Sequence, residues 1–466
     1  MSSNTSLSAA SVVQPAADPA RWRILGLLGI AQLMLILDVT VVALALPHIG
    51  ADLGLGRAEL TWVVTAYTVV FGGLMLLGGA AADLVGSRPV VLGGLALFTV
   101  ASLMTGLAGN AEVLLGGRMA QGAAAAMLSP AALSAVVRTF AGAELNKALG
   151  VWSALGGAGA ALGVLVGGAL TAGPGWQWVF YVNVPVGVVV LAALARMLPR
   201  PESADRSGRR LDWLSAVLVT AATGSAIYGL VAAGDSGWTG AETVIPVLVA
   251  VVLYAGFAVR QLRVAAPLMD LRLLGRRSVT SGTFLILVAT ALMIAVFFLG
   301  SFYLQHAEGH GALVTGLLFL PVALATITGA QVAGRVVGAV GSRLVGAAGL
   351  VVAAAGLAVP ALVPGTAPMV TGVAIGALGI GAVFVGASTT TFAQVGHHEA
   401  GIASGLLSTF HEFGAALGAA AVSSVAAASL SGSGVAGFER GFAFAAVVAV
   451  VAAGIALVAV PRREVD

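Results

Sequence analysis

The sequence predicts an all-α integral membrane protein. Hydrophobic residues make up 59% of the 466 residues and charged residues only 9%, whereas soluble domains carry about 25% charged residues. The apolar segments are long and do not alternate with polar residues, which favours membrane-spanning helices over barrel strands. A helix of about 20 apolar residues satisfies its backbone groups internally while it crosses the hydrocarbon core.

Fourteen spans are predicted from these apolar segments. The first segment, from Ile24 to Leu46, is too long for a cleavable signal peptide. The small and polar residues before it predict a disordered tail over residues 1–22. In chain order, we predict spans at residues 23–46, 60–82, 89–108, 112–135, 148–172, 178–198, 213–233, 243–260, 279–304, 312–334, 344–363, 366–392, 401–428 and 441–460.

The distribution of basic residues predicts the orientation. An even number of spans puts both termini on the same side of the membrane. With cytoplasmic termini, all 22 Lys and Arg residues except Arg57, Arg118 and Arg440 lie in inner segments, as the positive-inside rule requires. The net charge of +3 is therefore explained by the basic residues of the cytoplasmic segments. We expect a multi-pass protein of the cell membrane, with the lipid bilayer as a partner and no nucleic-acid partner.

A short repeat divides the chain. The loops GAAADLVGSRPVVLGGLAL and GRVVGAVGSRLVGAAGLVV, aligned on Gly86 and Gly341, both contain V-G-S-R-x-V. An internal duplication of this kind is typical of alternating-access transporters. We predict a cytoplasmic tail (1–22), a six-helix bundle (23–200), an inserted helix pair with basic cytoplasmic loops (201–277), a second six-helix bundle (278–460) and a second cytoplasmic tail (461–466).

Asp38 is a carboxylate within the apolar stretch LMLILDVTVVALAL (residues 33–46). An aspartate at a span centre costs about 2.5–3.5 kcal/mol on insertion, so such acids usually face a cavity and carry function. Asp38 lies roughly 13 Å from the outer end of span 1, and Arg118 lies roughly 10 Å from the outer end of span 4. We therefore expect the two charges at similar depth, where a change in their separation would load or release a proton.

A second pair of ionisable residues lies in the stretch STFHEFGAALG of span 13, which contains His411 and Glu412. Adjacent residues of a helix point about 100° apart, so the two side chains cannot face one partner equally. We interpret Glu412 as a second protonatable site. The alternative is a buried pair with a structural role.

Several stretches resemble motifs of a known transporter family. LDVTVVALALP (37–47) is similar to its first-helix signature, with Ala43 in place of an asparagine, and GAAADLVGSR (79–88) is a weakened form of G-x-L-A-D-R-x-G-R-R. LLGGRMAQGAAAA (114–126) matches the fourth-helix pattern, including Gln121. GAALGVLVGG (159–168) matches the antiporter pattern G-x-x-x-G-P-x-x-G-G, with Val164 in place of its proline.

On these motifs, and on GWQWVFYVNVPVG (175–187) and YLQHAEGHGALVTGLLFLP (303–321), the chain resembles the major facilitator superfamily. Within that family it resembles the fourteen-helix drug:proton antiporters. The resemblance covers nearly the whole chain. It implies two six-helix bundles plus two inserted helices.

Residues of the loop after span 2 are predicted to gate the conformational change. Gly86 permits a tight turn, and Asp83 can accept hydrogen bonds from Arg88 or from the N-terminus of a neighbouring helix. Together with Gly79, these residues would form a clamp that closes the cytoplasmic side and stabilises the outward-facing state.

Glycines of span 5 form a second predicted gating element. Gly159, Gly163 and Gly167 recur every four residues, so they line one helix face that a neighbouring backbone can approach closely. The resemblance implies that this helix, which also contains Gly168, controls access and discourages leak.

The predicted function is export of a lipophilic, in some cases cationic, drug or secondary metabolite in exchange for protons. The alternatives are a proton-coupled symporter and a lipid-handling membrane protein without proton coupling. The chain has no cysteines and no recognisable nucleophile–base or metal-ligand cluster. We therefore expect a transporter rather than an enzyme, acting as a monomer with no metal and no cofactor. The residues expected to line an apolar substrate cavity are Tyr67, Phe71, Gln121, Phe302, Tyr303, Gln305 and Phe410.

Overall fold

The computed structural model describes residues 20–172, 175–199, 212–264, 267–430 and 435–462. Within these ranges the regular structure consists of helices. Twelve helical segments there are long and apolar enough to cross a membrane, which confirms the all-α membrane class. The long helices Gly142–Ala172 and Ala400–Leu430 are not among those twelve, so the number of fourteen spans stays a prediction.

Seven helices make up the described part of the N-terminal half. They are α1 (Ala20–Leu53), α2 (Arg57–Val85), α3 (Ser87–Gly106), α4 (Ala111–Thr139), α5 (Gly142–Ala172), α6 (Trp178–Tyr181) and α7 (Asn183–Met197). α4 begins at Ala111 because the Asn110 side chain accepts a hydrogen bond from the backbone N–H of Val113 at 2.9 Å. α1 begins within the range predicted as a tail, and residues 1–19 lie outside the described residues.

The inserted segment contains α8 (Trp213–Ser236), α9 (Ala241–Gln261) and the short α10 (Arg272–Gly275). Asp212 caps α8 by accepting hydrogen bonds from the backbone and hydroxyl of Ser215. The same carboxylate is paired with Arg260 in the last turn of α9, at 2.6 Å. These contacts join the two ends of the α8–α9 hairpin. The basic stretch 200–211 before it lies outside the described residues.

The C-terminal half contains α11 (Arg277–Phe302), α12 (Ala312–Leu318), α13 (Leu320–Val340), α14 (Ser342–Leu362), α15 (Thr366–Phe392), α16 (Ala400–Leu430) and α17 (Ala436–Ala459). α11 continues into a π-helical turn over Tyr303–Ala307. The span predicted at 312–334 is divided between α12 and α13, because Pro321 stands in the first turn of α13. α13 then continues beyond the predicted end to Val340.

The repeated V-G-S-R-x-V loops have the same backbone conformation in both halves. Gly86 has φ 92° and ψ 149°, and Gly341 has φ 85° and ψ 150°. A positive φ of this size is accessible to glycine at little cost. Each glycine ends one helix and begins the next without a connecting loop. The repeat in the sequence therefore corresponds to a repeat in structure.

The two halves meet at the face on which α2 and α13 end and α3, α14 and α16 begin, which we call the basic face. There α2 crosses α16 with Gly79 against Gly401, and a Cβ atom on either glycine would collide with the carbonyl oxygen of the other. A Cβ atom on Gly150 of α5 would lie 3.2 Å from the Cα atom of Gly334 in α13. The small residues thus allow α2 to pack closely on α16 and α5 on α13, and these two contacts close the basic face.

The α8–α9 hairpin packs against both halves. A Cβ atom on Gly73 of α2 would lie 3.2 Å from the carbonyl oxygen of Thr220 in α8. The indole of Trp238, after α8, donates a hydrogen bond to Ser424 of α16 at 3.0 Å. The hairpin therefore lies along the seam between α2 and α16.

Candidate functional site

Asp38 lies in the interior of the N-terminal half, where α1, α4 and α7 meet. The residue is 2% exposed. The Oδ2 atom accepts a hydrogen bond from Arg118 Nη1 at 2.5 Å, and Oδ1 accepts from Gln121 Nε2 at 3.0 Å and from Asn183 Nδ2 at 3.3 Å. The two charges that we expected at similar depth are therefore in direct contact, with both carboxylate oxygens hydrogen-bonded.

Arg118 is completely buried. Besides Asp38, its guanidinium donates to the carbonyl oxygen of Val63 in α2 at 3.0 Å and to Gln121 Oε1 at 3.0 Å. The guanidinium carbon also lies 4.3 Å from the ring centroid of Tyr67, a cation–π contact. Arg118 thus joins α4 to both α1 and α2, so the Asp38 ion pair holds three helices together.

Two residues of this network were not predicted from the sequence. Ser102 of α3 accepts a hydrogen bond from Gln121 Nε2 at 2.9 Å, and Asn183 donates directly to Asp38. Asn183 is an amide within an otherwise apolar part of the stretch GWQWVFYVNVPVG. A polar side chain at that depth is a signal of a buried partner.

The span-5 glycines contact the helix that contains Asp38. A Cβ atom on Gly159 would collide with the side chain of Ile36, and one on Gly163 would lie 2.6 Å from Cβ of Thr40. α5 therefore packs closely on α1 on either side of Asp38. Gly167 and Gly168 continue the same helix, and their surroundings fall outside the described part of the structure.

Asp83 at the end of α2 forms a clamp between the halves. Its Oδ1 accepts a hydrogen bond from the backbone N–H of Gly401 at 2.7 Å, and its Oδ2 accepts from the N–H of Ile402 at 2.7 Å. These are first-turn groups of α16, whose positive partial charge favours an anion. Arg138 of α4 pairs with Oδ1 at 2.5 Å. Of the two partners expected for Asp83, the structure shows the neighbouring helix N-terminus.

Arg88 makes a different contact. Its Nη2 donates to the carbonyl oxygen of Ala195 near the end of α7 at 2.6 Å. Of the two alternatives for Asp83, Arg88 is therefore not the partner, because Gly86 turns the chain and directs α3 towards α7, whereas Asp83 faces α16. Arg138, which holds Asp83, was missed because a basic residue at the end of α4 is also what the positive-inside rule predicts.

His411 and Glu412 point to different neighbours, as the helix geometry requires. His411 Nδ1 lies 2.9 Å from the Thr290 hydroxyl of α11. The side chain of Glu412 faces α2, where a Cβ atom on Gly72 would lie 3.5 Å from its Cβ. No described residue forms a hydrogen bond with the Glu412 carboxylate. Glu412 is therefore not hydrogen-bonded to the Asp38 network among the described residues.

The aromatic residues predicted for a cavity fall into separate groups. Tyr67 and Phe71 are buried beside Arg118, with ring centroids 5.4 Å apart. Tyr303 and Gln305 lie in the π-helical turn, where Tyr303 donates to Glu308 at 3.0 Å and accepts from the N–H of Gly365 at 2.7 Å.

Gln305, Phe302 and Phe410 each have a partner within the C-terminal half. Gln305 donates to Ser301 at 2.8 Å. Phe302 is paired with Phe298 at 4.8 Å, and Phe410 is paired with Phe413 at 5.9 Å. A shared cavity for these residues stays a prediction.

The sequence model that describes the Major Facilitator Superfamily matches residues 28–419 of this chain. The chain is 36% identical over 410 residues to the cephamycin export protein of Amycolatopsis lactamdurans, covering 86% of this chain and 84% of that protein. It is 36% identical over 420 residues to the puromycin resistance protein of Streptomyces alboniger, covering 88% and 82%. It is 32% identical over 406 residues to the multidrug resistance protein Stp of Mycobacterium tuberculosis, covering 86% and 75%.

The fold also resembles the crystal structure of the human organic anion transporter MFSD10, with a TM-score of 0.69 and 14% sequence identity. The match covers 94% of this chain and 100% of that chain. Fold, motifs and relatives agree with the family expected from the sequence motifs. The chain belongs to the Major Facilitator Superfamily and is a membrane transporter rather than an enzyme.

Proposed function

We propose that this protein is a proton-coupled exporter of lipophilic, in some cases cationic, drugs or secondary metabolites, working by alternating access in the cell membrane with both termini cytoplasmic. The observation that carries the proposal is the buried network of Asp38, Arg118 and Gln121. The relatives named for export of cephamycin and resistance to puromycin support the direction of transport and a role in antibiotic resistance.

Coupling follows from the cost of separating the Asp38 ion pair. Removing one partner from a buried ion pair leaves an uncompensated charge, which costs about 3–5 kcal/mol. A movement of α4 relative to α1 that withdraws Arg118 would therefore favour proton uptake by Asp38. Return of Arg118 would release that proton. A cationic substrate competes for the same carboxylate.

The Asp83 clamp on the basic face stabilises one state of the transport cycle, which serves as its resting state. Asp83 binds α16 of one half to α2 and α4 of the other, and the Gly79–Gly401 crossing lies beside it. In this proposal, the state with the basic face closed is the outward-facing one. Breaking the clamp is then a step of each transport cycle.

Two other functions predict different behaviour. A proton-coupled symporter would move substrate and protons in the same direction. A lipid-handling protein without proton coupling would have no use for the Asp38–Arg118 pair beyond packing. The export proposal is supported over both by the named exporters among the relatives.

A substrate panel in everted membrane vesicles tests the proposal. Respiration acidifies the vesicle interior, and a pH-sensitive dye reports the gradient. An exported substrate should enter the vesicles and release protons when it is added. Substrate uptake that persists after the gradient is collapsed would contradict proton coupling, and proton movement together with substrate would indicate symport.

A further inference from the structure

The Asp83 clamp requires that the first turn of α16 is held in place. Its two hydrogen bonds run from neighbouring backbone N–H groups, those of Gly401 and Ile402, to the two oxygens of one carboxylate, both at 2.7 Å. Hydrogen bonds weaken steeply when their distance or angle departs from a narrow range. Residues that fix the position of the α16 N-terminus therefore contribute to the clamp without touching Asp83.

Arg276, at the end of the inserted segment, holds the chain directly before α16. Its guanidinium donates two hydrogen bonds to Glu399, from Nη1 to Oε2 at 2.7 Å and from Nη2 to Oε1 at 3.2 Å. Nη1 also donates to the carbonyl oxygen of Gln394 at 3.0 Å. Glu399 immediately precedes α16, and Gln394 follows the end of α15. A two-point pair of arginine and carboxylate fixes orientation as well as distance, so Arg276 orients the α15–α16 connection.

Apolar side chains of the same segment pack beside the clamp. Met269 and Leu273 are buried, and they belong to one apolar cluster with residues of both clamped helices, namely Leu76 and Ala80 of α2 and Ile402 and Leu406 of α16. The backbone N–H of Met269 donates to the side chain of Gln261 at the end of α9, at 3.1 Å. The inserted segment is thus tied to the α8–α9 hairpin at one end and to the clamp region at the other.

The neighbouring arginine makes a different contact. Arg277 donates to the carbonyl oxygens of Val458 and Ala459 at the end of α17. Both arginines satisfy the positive-inside rule equally well. Only Arg276 of the two contacts the α15–α16 connection, so its contact has a consequence for α16 that the topology rule does not explain.

We propose that Arg276 is a positioning residue of the clamp, which acts through Glu399 to hold the α16 N-terminus where Asp83 binds it. The helix pair inserted between the halves then has a role in gating, because the segment that follows it stabilises the state with the basic face closed. The proposal rests on the gating role proposed for Asp83. It depends neither on proton coupling nor on the identity of the substrate.

A single cysteine at position 154 reports whether the basic face is open. The chain has no cysteine of its own. Ala154 of α5 is 6% exposed and lies in an apolar cluster with Ala330, Ala333 and Val337 of α13, so a maleimide reaches Ala154→Cys when α5 and α13 separate. This contact is distinct from the α2–α16 crossing. Loosening confined to the surroundings of Arg276 therefore leaves the labelling rate unchanged.

The labelling rate is measured on the purified full-length protein in detergent, without substrate. In the Ala154→Cys background, we expect Asp83→Asn to raise the rate about tenfold and Arg276→Gln about threefold, because the second change misplaces the α16 N-terminus but leaves the carboxylate. Arg276→Lys keeps the charge and should raise the rate less than Arg276→Gln. The matched control is Arg277→Gln, which removes the adjacent arginine and should label like Ala154→Cys alone.

The double variant of Asp83→Asn and Arg276→Gln separates positioning from general stability. Without the Asp83 carboxylate the arginine has nothing to position, so the double variant should label about tenfold faster, as Asp83→Asn does alone. Independent contributions would multiply to about thirtyfold and would overturn the proposal.

Glu399→Gln removes the other partner of the pair and should reproduce the effect of Arg276→Gln. It keeps the test valid if Arg276→Gln folds poorly. Labelling of Arg276→Gln and Glu399→Gln at the rate of Ala154→Cys alone would also overturn the proposal. Because the readout needs neither substrate nor a pH gradient, failure of the export proposal and failure of this one are distinguishable.

Discussion

The two halves of the transporter each contain a carboxylate in the middle of a helix, and the structure surrounds these carboxylates differently. Asp38 of α1 has both oxygens hydrogen-bonded, by Arg118, Gln121 and Asn183. Glu412 of α16 has no hydrogen-bond partner among the described residues. A buried polar group without a partner is costly in apolar surroundings, so Asp38 is held in place by its partners in this state, whereas we expect Glu412 to gain a partner when a cation reaches it.

This comparison assigns the halves different tasks. The N-terminal half holds an ion pair with all its carboxylate oxygens hydrogen-bonded, which the proposed cycle must break. Among the residues that the structure describes, the C-terminal half offers Glu412 no hydrogen-bond partner. Substrates that differ in charge should therefore distinguish the two sites, and substitutions should separate them.

The largest effect is expected for Asp38→Asn. The amide cannot titrate, so proton-coupled efflux should fall to background, while Arg118 keeps the acceptors Gln121 and Val63 and the protein still inserts. Efflux under an imposed pH gradient measures the effect. Asp212→Asn is the matched control, since it also neutralises an aspartate paired with an arginine but lies at the end of the α8–α9 hairpin. Wild-type efflux by Asp38→Asn would show that another group couples transport.

A smaller effect is expected for Asp83→Asn. The charge that favours the α16 N-terminus is lost, which weakens the clamp by about 1–2 kcal/mol. The clamped state is then re-formed more slowly in each cycle, and we expect turnover to fall about tenfold. Substrate affinity should stay unchanged because the clamp lies far from the Asp38 network. Turnover and equilibrium binding are measured separately. The gating role would be wrong if affinity collapsed while turnover at saturation stayed normal.

Glu412→Gln should affect the transport of cationic substrates more than that of neutral ones. Neutral substrates should be transported as by wild type, whereas cationic ones should lose a several-fold advantage or show a lower proton-to-substrate ratio. The measurement is transport of a matched neutral and cationic pair, with His411→Gln as the adjacent control facing α11. Unchanged transport of both substrates at unchanged stoichiometry would leave Glu412 a structural residue.

The smallest effect concerns the α8–α9 hairpin. Hydrogen bonds from Arg260 lower the pKa of Asp212 to about 2. Because the folded-state pKa is below the unfolded one, this stabilisation is present above about pH 4 and is lost as the pH falls towards 2. Asp212→Asn should lower the unfolding temperature by about 1 °C at pH 6, and the difference from wild type should shrink between pH 4 and 2. A difference that does not change with pH would contradict the assignment.

Parts of the site could be predicted from the sequence because the membrane makes isolated charges conspicuous. Asp38 and Arg118 were paired from helix rise and depth alone, since few other charges lie within the spans. The partner of Asp83 was narrowed to two candidates by its position at a helix end. Ser102 and Asn183 were missed because uncharged polar residues are common in spans, and their orientation depends on how α3 and α7 pack.

Packing between distant helices was not predictable. The position of the α8–α9 hairpin along α2 and α16 depends on close contacts such as Gly73 with Thr220, and the sequence contains many glycines. The hydrogen bonds of Tyr303 were also not predictable, because they depend on a π-helical turn that directs its hydroxyl to Glu308 and Gly365.

The central claim is that Asp38 takes up and releases the coupled proton. Substrate-induced proton release from purified protein in weakly buffered detergent solution tests it most directly, because no gradient or vesicle is involved. Wild type and Asp212→Asn should release protons when a neutral exported substrate is added, and Asp38→Asn should release none while still binding that substrate. Equal proton release from Asp38→Asn and wild type would contradict the claim.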